Sequence, residues 1–140
     1  APAAAETVLP LAGLHLLLAE DNELNSEIAT ALLEEQGASI TAVENGRLAL
    51  EAIQNAAPHT YDAILMDVMM PEMNGLEATR CIRAFEGKGP GEGTPIISMT
   101  ANVFADDVKA CLDAGMNSHV GKPLDMKVLI GEILKYTDAH

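Results

Sequence analysis

At 140 residues the chain has room for one domain with a sizeable core, which its 49% hydrophobic but only 3% aromatic composition would build from Leu, Ile, Val, Met and Ala. A formal charge of −13 argues against direct nucleic-acid binding, which needs clustered Lys and Arg, and favours basic or mixed protein partners. Cys81 and Cys111 stand far apart with no Cys-x-x-Cys and no neighbouring His, so reduced thiols are expected rather than a disulfide or zinc site. No stretch reaches the apolar length of a membrane span, and no membrane contact is expected of this module.

Residues 1–12, opening on Ala1-Pro2-Ala3-Ala4-Ala5, read as a linker or lead-in, and residues 13–138 as the domain. From there short apolar runs alternate with helical patterns, the signature of an α/β fold with a parallel sheet. A first strand is predicted over 14–19. A helix follows over 23–36, with Leu24, Ile28, Ala31 and Leu32 on one face and Gly37 as its stop. The second strand, 39–43, reads as a less buried edge, and the second helix runs over 46–56 until Pro58 ends it. Strand three is 61–66. Helix three starts near Asn74-Gly75 and carries Leu76, Thr79, Ile82 and Phe85. The breakers of 86–93 make a loop before strand four, 95–99. Helix four, 105–114, has a weak apolar face; a short strand over 118–120 and a helix over 125–136 with Met126, Leu129, Ile130 and Ile133 complete the chain.

Five β–α units in this order form a doubly wound, five-stranded parallel sheet with five helices, in which ligands bind beyond the carboxyl ends of the strands. Chemistry-bearing residues stand at that edge. Glu20 and Asp21 close the first strand, Asp67 follows the third, Thr100 the fourth and Lys122 the fifth. Three crowded carboxylates raise a pKa or recruit a cation. Magnesium suits them, since it is hard, prefers oxygen and uses one or two carboxylates plus phosphate oxygens. Asp21 and Asp67 are the expected direct ligands, Glu20 acts through water, and the Met69 carbonyl completes the protein's share. Lys122 offers a compact charge to an acyl phosphate, Thr100 a hydroxyl to a phosphoryl oxygen, and Ala101 leaves room for a donor.

These motifs together make the chain resemble response-regulator receiver domains over residues 14–136. The resemblance rests on Leu18-Ala19-Glu20-Asp21-Asn22-Glu23-Leu24-Asn25, on Met66-Asp67-Val68-Met69-Met70-Pro71-Glu72-Met73-Asn74-Gly75, on Thr100-Ala101 and on Lys122-Pro123. The segments 66–83 and Ala114-Gly115-Met116-Asn117 look most like receivers attached to hybrid sensor histidine kinases. The resemblance implies a flavodoxin-like strand order 2-1-3-4-5. It also implies that Asp67 accepts a phosphoryl group from a phosphohistidine, that Glu20 and Asp21 hold magnesium, that Lys122 contacts the phosphate and that Thr100 moves towards it. A histidine kinase or histidine phosphotransfer domain would dock on the first helix, with Asn22, Asn25 and Ile28 nearest the site, in a cytoplasmic phosphorelay. Such a chain is not an enzyme in the ordinary sense, because it catalyses at most its own phosphorylation and dephosphorylation.

Rival readings fare worse. A flavodoxin-type FMN site needs a phosphate-binding loop after strand one, where Glu20-Asp21-Asn22-Glu23 would repel the phosphate. A haloacid-dehalogenase-type phosphatase needs a second Asp two residues after the nucleophile, and Met69 stands there. A non-phosphorylated pseudo-receiver acting as an interaction module is the stronger rival, but its usual mark, loss of the acidic pocket, is missing. Two departures from the family pattern stand out. His119 replaces the usual Tyr or Phe, and Asn74 replaces the commoner Asp before Gly75.

Overall fold

Apolar side chains on both faces of the central strands require cover on both sides, and helices supply it. The computed structural model describes residues 9–57, 60–68, 70, 73–89, 93–100, 105–121 and 125–137, with backbone alone at 100 and 105–108. Strands β1 (His15–Ala19), β2 (Ser39–Val43), β3 (Ala63–Asp67), β4 (Ile96–Thr100) and β5 (Ser118–Gly121) form one parallel sheet in the order β2-β1-β3-β4-β5. Between and after them run α1 (Glu23–Glu35), α2 (Gly46–Asn55), α3 (Gly75–Glu86), α4 (Ala105–Ala114) and α5 (Met126–Thr137).

Alternation along the strands divides the core in two. Leu16, Leu18, Leu65, Ile97 and Met99 pack with Ala29 and Leu33 of α1 and with Leu129 and Ile133 of α5. Leu17, Ala19, Ile64, Met66 and Ile96 pack with Ala49 and Ile53 of α2, Ala78 and Ile82 of α3, and Cys111 of α4. Under α4, the Cys111 thiol donates to Ser98 Oγ in β4 at 3.4 Å. β2 is the half-exposed edge that its sequence implied.

The first helix departs from the sequence pattern. Its buried residues are Ala29 and Leu33, whereas Leu24 and Ile28 are 64% and 50% exposed. The apolar row 24-28-31 is therefore not the row that packs on the sheet. Helix α3 differs in a similar way: Thr79 and Ile82 are buried as their spacing implies, but Phe85 faces solvent and Arg83 turns inward.

Arg83 organises the amino-terminal edge of the sheet. Its guanidinium donates to the carbonyls of Gly115 (2.9 Å) and Thr94 (2.8 Å), to Asn117 Oδ1 (2.8 Å) and to Glu86 Oε1 (2.9 Å). Asn117 Oδ1 also accepts from Ile96 N, and Glu86 accepts from the Thr94 amide and hydroxyl, so α3, β4 and β5 are tied where both strands begin. Burial pulls the Arg83 guanidinium below its ordinary pKa, while the hydrogen bond and charge of Glu86 act in the opposite direction. Gly115 meets this side chain at φ 113°, a conformation that favours glycine, and a Cβ there would press on Arg83 Cγ.

Candidate functional site at the carboxyl edge of the sheet

At the other edge the strands end in carboxylates. β1 stops at Ala19, and the Glu20 amide donates to Val43 O of β2 at 3.1 Å, which fixes the backbone as the chain leaves the sheet. Asn22 then caps α1, its Oδ1 accepting from Asn25 N at 2.9 Å. The Asn25 amide reaches back to Glu20 Oε1 at 3.3 Å, joining the first turn of α1 to the acidic group. Two carboxylates are thus presented side by side, Glu20 buried and Asp21 exposed.

Asp67 is the last residue of β3 and lies in register with Met99 of β4. It is 6% exposed. Helix α3 begins directly beneath it. The Gly75 amide donates to Val68 O at 2.9 Å, and a Cβ on Gly75 would overlap the Asp67 carbonyl, so only glycine lets the helix start so close. Asn74 caps α3 by accepting from Glu77 N at 2.9 Å, which an aspartate could do equally well; this accounts for the Asn74 departure. Asn45 caps α2 in the same way, accepting from Leu48 N at 2.9 Å. Three Asn-capped helix amino-termini therefore open on this edge, and their positive ends offset part of the carboxylate charge.

One carboxylate oxygen from each of Glu20, Asp21 and Asp67 lies within 4.8 Å of the others. Ligands opposite each other on an octahedral magnesium, at about 2.1 Å, stand about 4.2 Å apart. The donor set is thus of the right chemistry and nearly the right spread, with room for one carboxylate to act through water. Thr100 ends β4 beside Gly121 of β5, so its backbone is at this edge; its side chain, together with Met69, Ala101 and the Lys122-Pro123 pair, lies outside the described residues. His119 is half-buried in β5 opposite Ser98, and strand alternation puts it on the α4 side. Asn22, Asn25 and Ile28 are all exposed on α1.

The sequence reading passed over Asn45 and Arg83. The first had a signal, an Asn-Gly pair between a strand and a helix. The second had only a weak one, an i,i+3 pairing with Glu86, because Arg is rarely buried and its other acceptors lie 11, 32 and 34 residues away.

The profile of the response regulator receiver domain matches residues 16–134. A probable histidine kinase of Oryza sativa subsp. indica is 39% identical over 140 aligned residues, which cover 80% of this chain and 14% of that protein. The chain spans 12–14% of the length of the curated relatives it matches here. Among solved structures, the receiver domain of a sensor histidine kinase from Pseudomonas aeruginosa PAO1, with magnesium coordinated in its active-site cleft, is similar at 37% identity. Its TM-score is 0.79, over 91% of this chain and 100% of that one. The receiver domain of a Saccharomyces cerevisiae response regulator, in complex with a histidine phosphotransfer protein, is similar at 25% identity and TM-score 0.79, over 89% of each chain.

Proposed function

The chain belongs to the response regulator receiver domain family, and from that premise we propose that it is a phosphoacceptor module of a phosphorelay, with Asp67 as the acceptor. The observation that carries this reading is the convergence of Glu20, Asp21 and Asp67 within 4.8 Å at the ends of β1 and β3. A carboxylate oxygen of Asp67 attacks the phosphorus of a phosphohistidine. The O–P bond forms as the P–N bond breaks, and the electron pair returns to the imidazole. Charge accumulates on the phosphoryl oxygens, and magnesium held by Asp21 and Asp67, by Glu20 through water and by the Met69 carbonyl would supply its neutralisation. Lys122 contacts the phosphoryl group and Thr100 bonds one of its oxygens. Buried Asp67 and Glu20 are held in place before the donor arrives, so little ordering is left for the reaction itself.

The donor is a histidine kinase or a histidine phosphotransfer domain in the cytoplasm. It docks on α1 with Asn22, Asn25 and Ile28 nearest the acceptor. The link from Asn25 to Glu20 supports this, since it places the first turn of α1 against the acidic group. The test is intact-protein mass after incubation with acetyl phosphate and magnesium, beside Asp67→Asn. One added phosphoryl group that requires magnesium and disappears in the variant is the expected result. An adduct that survives Asp67→Asn, or a wild-type protein that takes no adduct and is not perturbed by magnesium with beryllium fluoride, would sink the proposal.

A further inference from the structure

Helix α1 carries a surface that the fold does not use. Leu24, Ile28 and Ala31 follow one another at i, i+4 and i+7, so they form one continuous row, and all three are exposed. Beside that row run Glu23, Glu27 and Glu34, also exposed and also on one face. None of these acids makes an ion pair among the described residues. Residues 1–46 contain no Lys or Arg, so none of these acids has a cationic partner within its own helix.

Fold stability does not account for the acids. Glu23 stands in the first turn, where the helix dipole favours it, but Glu34 stands in the last, which has no basic residue and where a carboxylate is disfavoured. Glu23 and Glu27 are four apart and repel each other. An exposed apolar row with an unneutralised acidic border matches a protein surface of opposite charge, because complementary rims raise association rates and reject like-charged competitors.

We propose that the Leu24–Ile28–Ala31 row with its Glu23–Glu27–Glu34 border selects a helical phosphohistidine donor whose docking face has an apolar centre and a Lys/Arg rim. The selection rests on the phosphoacceptor reading of Asp67, which it deepens by stating the charge of the partner. The acids act on encounter and discrimination, and the chemistry stays with the pocket at the head of the helix.

The test uses the full chain and two designed helical-bundle phosphotransfer proteins, both loaded as phosphohistidine. They share an apolar centre and differ only in rim residues, Lys in one and Glu in the other. Transfer to Asp67 from the Lys-rimmed donor is expected to be at least about tenfold faster at low salt, with the advantage shrinking as ionic strength rises. Glu27→Lys with Glu34→Lys reverses the preference while labelling by acetyl phosphate stays at the wild-type rate. Equal rates from the two donors, or labelling by acetyl phosphate with transfer from neither, overturns the selection. Failure of acetyl phosphate as well would instead bring down the phosphoacceptor reading beneath it.

Discussion

The two edges of the sheet, about 16 Å apart along five-residue strands, treat charge in opposite ways. At the amino edge a guanidinium sits among acceptors from α3 and from the segments that lead into β4 and β5, and four of its five N–H donors have a defined partner. At the carboxyl edge three carboxylates are gathered within 4.8 Å, at the ends of two strands and beside three capped helix starts. The first arrangement neutralises charge within the fold and makes a rigid joint. The second concentrates like charge, which favours the entry of a cation. One sheet can hold both because parallel strands send all their carboxyl ends to the same side.

The contrast can be broken most directly at the closed end. Arg83→Ala removes the buried guanidinium that ties half-buried Glu86 and Asn117 to two backbone carbonyls, and should cost about 3–5 kcal/mol of stability. Arg83→Lys recovers only part, because an ammonium cannot reproduce the fork of donors. A wild-type melting curve for Arg83→Ala would mean that this edge is not the joint described above. A smaller effect is expected at the open end, where magnesium at about 100 times its dissociation constant should add about 2.7 kcal/mol. Asp21→Asn should reduce that increment, and Arg83→Lys should leave it intact, with chemical denaturation as the readout in each case. Least is expected on the face of α1: Leu24→Ser should move stability by no more than about 0.5 kcal/mol. Leu33→Ala, in the same helix but fully buried, should lose about 2–5 kcal/mol. A large loss from Leu24→Ser would show that the exposed row belongs to the core after all.

Much of this was legible in the chain. The runs around Leu17 and Leu65 are apolar at consecutive positions, which marks strands covered on both faces, and the acids that close them stand out as the first polar groups after burial; in the run around Ile97 only the buried Ser98 interrupts. Strand order was available only through family resemblance, since apolar runs carry no information about which strand lies beside which. Helix faces were the weak point. In α1 the larger apolar residues Leu24 and Ile28 point outward, while the small Ala29 and Leu33 pack on the sheet, so periodicity identified a genuine row but not its role. Arg83 escaped notice for a related reason: its local i,i+3 partner Glu86 looks like any surface pair, and its burial is decided by acceptors supplied from distant loops.

The thiol beneath α4 gives the molecule an internal clock. Cys111 is 2% exposed, with its hydrogen bond directed at Ser98 in the strand below, so an alkylating reagent reaches it only when the helix lifts from the sheet. Its rate of modification therefore counts openings of that helix, one irreversible event at a time. Cys81, half-buried on neighbouring α3, serves as the reference. Comparing the two rates with and without acetyl phosphate and magnesium would test whether the proposed phosphorylation of Asp67 changes the opening of α4, without any added label.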